Sequence, residues 1–290
     1  MREFVIMTDS CCDLTASMAE ELGLAVLPLS LHMDGSVYRN WLDGRDIGFP
    51  EFYGRVREGA DATTAAVSVG DFEAEMRGIL QSGRDILCIN FSSALSTTYQ
   101  SAVIAAREAA EEFPEGKICV VDSLCASLGQ GLLVWLCAQE QKKGRTLEEV
   151  RDFAEETKSE VCHWFTVDDL NHLKRGGRIS AATALFGTML SIKPVMHVDD
   201  GGRLIPVSKA RGRKASLLAL VDEMEKTAID PKNQVVFISH GDCLKDAELV
   251  AEEVRRRFGT EEVHINYVGP VIGSHSGPGT VALFFLGRRR

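Results

Sequence analysis

Asp85-Ile86-Leu87-Cys88-Ile89, running directly into Asn90-Phe91-Ser92-Ser93-Ala94-Leu95-Ser96-Thr97-Thr98-Tyr99-Gln100-Ser101, sets a short apolar run against a cluster of hydroxyls. The apolar run predicts a strand covered on both faces. Ala102, Ala105, Ala106, Ala109 and Ala110 then predict a helix. A strand end that feeds a helix N-terminus presents unpaired backbone N–H groups and the positive end of the helix dipole. Ser and Thr hydroxyls there can complete a cradle for a carboxylate or a phosphate. A single Ser would be read as a helix cap; the five hydroxyls of Ser92, Ser93, Ser96, Thr97 and Thr98 point to an anionic ligand.

The layout recurs. Phe4-Val5-Ile6-Met7 runs into Thr8-Asp9-Ser10, Ile118-Cys119-Val120-Val121 into Asp122-Ser123, and Val235-Val236-Phe237-Ile238 into Ser239-His240-Gly241. Helical patterns separate these segments, so the chain reads as α/β with a mostly parallel sheet, and ligands in such sheets bind beyond the carboxyl ends of the strands. Strands are expected near 3–8, 24–30, 85–91 and 117–122, and helices near 14–23, 49–57, 71–82, 97–112, 125–143 and 146–159. The last helix starts with the capping-box spacing Thr146-Leu147-Glu148-Glu149 and is read as a hinge. Beyond it, strands near 162–167, 191–198 and 204–207, with the turn Asp199-Asp200-Gly201-Gly202, suggest a hairpin-containing second unit. The expected organisation is an N-terminal α/β domain over 1–160, a C-terminal α/β domain over 161–290, and a ligand site between them.

Composition narrows the function. The 290 residues are 45% hydrophobic and 26% charged, enough for large cores. The formal net charge of −10 argues against nucleic-acid binding. Arg203, Lys209, Arg211, Arg213 and Lys214 form a local basic cluster, which reads as a docking face for an acidic partner, ahead of a solvated hairpin or a DNA contact. Eight cysteines without a C-x-x-C pair or zinc spacing imply free thiols, a reducing compartment and no metal. Met1-Arg2-Glu3-Phe4 leads into a strand, and the longest apolar run, Leu132-Leu133-Val134-Trp135-Leu136-Cys137-Ala138, falls far short of the ~20 residues that span a bilayer. A cytoplasmic protein without an integral membrane segment is expected.

Two further segments carry candidate chemistry. Lys174-Arg175-Gly176-Gly177-Arg178-Ile179-Ser180 joins cations to a Gly-Gly turn, and is balanced between solvent-facing charge and function because it lacks nucleotide-loop spacing. Gly273-Ser274-His275-Ser276-Gly277-Pro278-Gly279-Thr280 reads as a glycine-rich loop preceding a helix, with His275 facing a ligand. His240 is evenly placed between packing and function. Ser93 and His275 with Asp9 or Asp122 would make a hydrolase triad, a weaker reading because the G-x-S-x-G elbow is absent.

Thr8-Asp9-Ser10 with Asp13-Leu14, Phe91-Ser92-Ser93-Ala94-Leu95-Ser96-Thr97-Thr98-Tyr99-Gln100-Ser101-Ala102, Val121-Asp122-Ser123, Leu173-Lys174-Arg175-Gly176-Gly177-Arg178-Ile179-Ser180, Ile192-Lys193-Pro194-Val195 with Asp200-Gly201, and the Gly273 to Gly279 segment together resemble the DegV family. The resemblance implies a two-domain protein that holds one long-chain fatty acid and no other cofactor. It also implies that the protein presents the carboxylate to a separate ATP-binding kinase, and so is a carrier subunit and not itself an enzyme. The carboxylate residues it implies are Thr64, Ser93 with Ser92 as the alternative, and His275. Thr64-Ala65-Ala66-Val67-Ser68 stands where the family commonly shows Thr-Ser-Gln-Pro-Ser, and Thr97 replaces a usual Gly. Phe165, Leu190, Ile192, Phe284 and Phe285 are candidates for lining the tail. The alternative is a phosphotransferase or hydrolase acting on a small anion, since the family's fold resembles that of dihydroxyacetone kinase subunits.

Overall fold

The computed structural model describes residues 2–179, 192–288 and 290. Its first sheet contains β1 (Phe4–Asp9), β2 (Ala25–Leu27), β6 (Asp85–Asn90) and β7 (Ile118–Asp122), in the order β2-β1-β6-β7 with every pair parallel. β6 is buried at every position, as its apolar run requires of a central strand. Helices α3 (Val69–Gln81) and α4 (Thr98–Glu112) cover one face. Phe72, Met76 and Ile79 of α3 and the alanine stripe of α4 pack there on Val5, Met7, Ile86 and Cys88.

The strand expected over 24–30 is two strands in different sheets. β2 stops at Leu27, where Pro28 has no N–H to continue a ladder. The chain then forms a separate antiparallel sheet of β3 (Ser30–Met33), β4 (Ser36–Arg39) and β5 (Ala62–Ala65), in the order β4-β3-β5. Asp34 and Gly35, at φ 51° and 77°, make the tight turn between β3 and β4. Helix α2 (Phe49–Arg57) leads into β5 and buries Phe52 and Tyr53.

The second sheet is mixed and not parallel. β8 (Val161–Thr166), β9 (Ile192–Val198), β10 (Leu204–Arg211), β11 (Val236–His240), β12 (Val263–Tyr267) and β13 (Val281–Leu286) lie in the order β10-β9-β8-β13-β11-β12. Only β11 and β12 run parallel; β11 is antiparallel to β13. The repeat at 235–241 is a buried strand that feeds a helix, Leu244–Phe258, and pairs in parallel with β12, while its other edge meets β13 antiparallel. Residues 273–280 are not a loop before a helix. His275 lies in a helix, Pro270–Ser276, and β13 follows it. A short apolar run such as 281–286 is ambiguous by periodicity alone, and here it is a central strand flanked by β8 and β11.

One helix joins the two sheets. α5 (Leu128–Lys142) packs against β1 on one side and against β8, β11 and β13 on the other. Leu132, Leu133, Val134, Cys137 and Ala138 are all buried, so the longest apolar run of the sequence is a helix apolar on every side. Its cluster contains Ile6, Leu87 and Val121 of the first sheet together with Phe165, Phe237 and Phe284 of the second. Among the described residues no helix is long and apolar enough to cross a membrane.

The close approach of α5 needs glycine at 131, where an added Cβ would lie 2.5 Å from the carbonyl oxygen of Cys12. Gly131→Ala should therefore destabilise the protein by about 1–3 kcal/mol through overpacking. Gly78, in the last turn of α3 with nothing within 4 Å of its would-be Cβ, is the control. Gly78→Ala should be neutral or stabilise by up to about 1 kcal/mol. Urea unfolding of both variants distinguishes the two cases.

Candidate functional site

A cavity of about 400 Å³ lies between the two sheets, lined by residues from both halves of the chain. At one end Thr64 and His275 meet, with Thr64 Oγ1 and His275 Nε2 2.8 Å apart. Thr64 is held on β5 opposite Leu31 of β3, and the helix carrying His275 packs on β3 and β5. Ser93 follows β6, and its backbone N–H donates to Asp122 Oδ1 at 3.1 Å while the residue lines the cavity.

The five hydroxyls after β6 divide their work. Ser92 is fully buried, and its Oγ donates to the carbonyl of Gly202 at 3.0 Å, so it ties the two halves together and does not line the cavity. Ser96 and Thr98 hydrogen-bond each other at 2.9 Å, and Ser96 Oγ also accepts from the N–H of Thr98. Ser93 and Thr97 line the cavity with hydroxyls that have no hydrogen-bond partner among the described residues.

His275 is held neutral. Burial, followed by the charge of Arg178, lowers its pKa from the usual 6.5 to about 4. Its ring approaches so closely that a Cβ on Gly176 would lie 2.2 Å from Nδ1, which accounts for one glycine of the Gly176-Gly177 pair. Arg178, two residues on, lines the same cavity; its Nε donates to the carbonyl of Leu95 at 3.2 Å, and its guanidinium also bonds the carbonyl of Gly176. Of this segment Arg178 lines the cavity, while Ser180 lies outside the described residues. A second cavity, of about 530 Å³, adjoins the first. It shares Thr64, Arg178 and His275, and adds His172 and Arg175.

Away from Thr64 and His275 the main cavity is mostly apolar, with Leu29, Phe91, Leu95, Phe165, Val198 and Phe284 on its wall. Of the expected tail residues, Phe165 and Phe284 line it. Phe285 does not: neighbours on a strand face opposite ways, and Phe285 packs with Leu217 and Val236 beyond the sheet. Ile192 is half-buried on β9 and off the wall, and Leu190 lies outside the described residues. Ser239, at a polar strand end that the sequence nominates, and Ser276, beside His275 in the segment it singles out, also line the cavity, as does Ser127, which carried no sequence signal.

The alternative triad is not assembled. Asp9 accepts from the N–H groups of Cys11 and Phe91 and from Asn90, and Asp122 accepts from the N–H groups of Ser93 and Leu124. Both carboxylates are therefore engaged in holding the loops around Ser93, while His275 bonds Thr64. His240 is structural: its Nδ1 accepts from the N–H of Cys243 and its ring packs on Tyr267. In the basic cluster, Arg203 and Arg211 are exposed, whereas Arg213 is half-buried and ion-paired with Asp168 at 3.6 Å and Asp246 at 2.9 Å.

The family model described as "Uncharacterised protein, DegV family" matches residues 3–288. A DegV domain-containing protein of Clostridium perfringens is 45% identical over 287 residues, covering 99% of this chain and 98% of its own. A DegV family protein from Thermus thermophilus, whose structure is described for its fatty acid binding, is 34% identical with a TM-score of 0.89, covering 99% of this chain and all of its own. The Streptococcus pneumoniae Fatty Acid Kinase (Fak) B3 protein, solved loaded with linoleic acid, is 20% identical over 98% of this chain and 99% of its own, and shares the fold at a TM-score of 0.85. A match over nearly every residue, a 45% identical relative and a fold shared over the whole chain lead to one conclusion: the chain belongs to the DegV family.

Proposed function

We propose that this protein holds one long-chain fatty acid in the cavity between its two α/β units, 1–160 and 161–290, and presents the carboxylate to a separate ATP-using kinase. The observation that carries this reading is the Thr64–His275 hydrogen bond at one end of a mostly apolar cavity. A carboxylate is ionised at neutral pH and is costly to bury unless several donors meet it. With its proton on Nε2, neutral His275 donates to Thr64 and turns the Thr64 O–H toward the cavity. Ser93 supplies a second hydroxyl, and Arg178 supplies positive charge beside them. The tail then contributes ~0.8 kcal/mol for each CH₂ buried, so the polar end sets orientation and the apolar wall sets most of the affinity.

The second cavity supports presentation to a partner, because it shares Thr64, Arg178 and His275 with the main cavity and adds His172 and Arg175. A phosphoryl donor entering there would meet a carboxylate held at those residues. Exposed Arg203 and Arg211 are the surface cations offered to such a partner, while Arg213, the third of the set, is half-buried and ion-paired. The cytoplasm is the compartment this reading assigns, as cysteines without a disulfide framework suggest.

Mass spectrometry of small molecules released by denaturing the purified protein should find a long-chain fatty acid near one per chain, and none after incubation with fatty acids would overturn the reading. Ser93→Ala and Thr64→Ala should each weaken fatty acid retention by about 10–100-fold, the worth of a hydrogen bond to a charged group. Acyl phosphate formation with the kinase should fall in step, and circular dichroism should be unchanged. NMR titration supplies a separate check. In the empty protein the His275 imidazole should stay neutral down to about pH 4; a bound carboxylate, as a neighbouring negative charge, should raise that midpoint.

A further inference from the structure

The helix that carries His275, Pro270–Ser276, is seven residues long and contains Gly273 and two serines. A helix of that length and composition is not stable alone, so its place is set by what grips it. Three grips come from the first half of the chain. Thr64 bonds His275 itself. Tyr53, on α2, donates from its hydroxyl to the carbonyl of Val268 at 2.7 Å. Asp13, which follows β1, holds the approach to the helix at two points. Its Oδ1 accepts from the N–H of Gly269 at 3.0 Å, and its main-chain carbonyl accepts from Asn266 Nδ2 at 2.8 Å.

The Asp13 contact is close and specific. A Cβ on Gly269 would lie 2.7 Å from Asp13 Oδ1, so only glycine lets the carboxyl reach this buried N–H. The second carboxyl oxygen, Oδ2, lies 2.5 Å from Ser127 Oγ, just before α5. Asp13 is buried and off the wall of both cavities. Its backbone is left-handed, at φ 51°, a conformation that Asp and Asn adopt more readily than other residues with a Cβ. Burial raises its pKa to about 8, so near neutral pH the side chain is a carboxylic acid, whose carbonyl oxygen accepts from Gly269 as an Asn carbonyl would.

Gly269 immediately precedes the helix, and His275 lies about 9 Å further along its axis at 1.5 Å per residue. The Thr64–His275 bond leaves this lever little freedom, because partners 2.8 Å apart no longer bond once they separate by about 1 Å. Resting on the fatty acid reading above, we propose that Asp13 is a positioning residue for the carboxylate end: by holding Asn266 and Gly269 it fixes the helix where His275 meets Thr64. It acts through His275 and not on the ligand. Removing its carboxyl leaves the Gly269 N–H buried without a partner, a state that is relieved when the helix start shifts toward water and carries His275 with it.

The test compares three variants of the full chain, each checked for folding by circular dichroism. Asp13→Gly tolerates the left-handed backbone and removes the acceptor. Asp13→Asn keeps both. Leu220→Ala, on the helix Arg213–Thr227, opens a cavity in the core beyond the second sheet and lowers stability without touching this segment. In the delipidated protein, NMR should place the His275 midpoint of Asp13→Gly about one pH unit or more above the wild-type value near 4, because a ring that leaves its buried place gains water. Asp13→Asn and Leu220→Ala should titrate as wild type. Calorimetry should find octadecanoic acid bound about 10-fold more weakly by Asp13→Gly and within about twofold of wild type by Asp13→Asn. A wild-type midpoint in Asp13→Gly would overturn this inference alone, as would an equal shift in Asp13→Asn or Leu220→Ala. If Asp13→Gly does not fold, Asn266→Ala, which removes the bond to the Asp13 carbonyl, takes its place: a raised midpoint supports the inference and an unchanged one overturns it. Failure of the wild type to bind any fatty acid would overturn the fatty acid reading and this inference with it.

Discussion

The burial of α5 between two sheets is the constraint on which the rest of the molecule depends. A helix apolar on every side cannot rest on a single sheet with its other face in water; it needs a second apolar layer. Here that layer is the second sheet, brought against the helix through β8, β11 and β13. The contact fixes the distance between the two halves, and the cavity is the space that this packing leaves beside the helix start, where Ser127 lies at the wall. Gly131 lets the helix approach the Cys12 carbonyl, and the bond from Ser92 to Gly202 adds a second tie across the same gap.

Given that frame, the polar residues sort by whether their hydrogen bonds are already spent. Ser92, Ser96 and Thr98 are committed to backbone or to each other, and Asp9 and Asp122 to the N–H groups that shape the loop after β6. Ser93 and Thr97 retain hydroxyls at the cavity. His275 and Thr64, far apart in sequence, meet because a helix from the second half packs on the small antiparallel sheet of the first. A neutral imidazole beside a hydroxyl, with an arginine nearby, makes an end that can receive a negative charge without already carrying one of its own.

Much of this was legible beforehand. The run 85–89 read as a buried strand and the spacing from Thr146 to Glu149 as a helix start, each from local chemistry, and part of the hydroxyl stretch lies on the cavity wall. The capping box forms as its spacing implies. Thr64 was different: nothing about one Thr in Thr63-Thr64-Ala65 distinguishes it, and it was nominated through resemblance to the DegV family. Arg178 was half-legible, since a Gly-Gly turn among cations suits a solvent loop as well as a cavity wall. β3, β4 and the helix bearing His275 were missed. Strands of four residues offer little periodicity to read, and a Gly- and Ser-rich segment has the composition of a loop even when tertiary contacts hold it helical.

Local pattern thus sufficed for the α/β class, for the position of the first sheet's strands and for the place where hydroxyls gather, because burial and capping act over a few neighbouring residues. Which hydroxyls stay free, which of two adjacent phenylalanines faces the cavity, and that Thr64 meets His275 were settled only in three dimensions. Those outcomes depend on strand register and on contacts between residues more than a hundred positions apart, such as Ser92 with Gly202 and Thr64 with His275. Single-residue chemistry is the same in either arrangement; packing chooses between them.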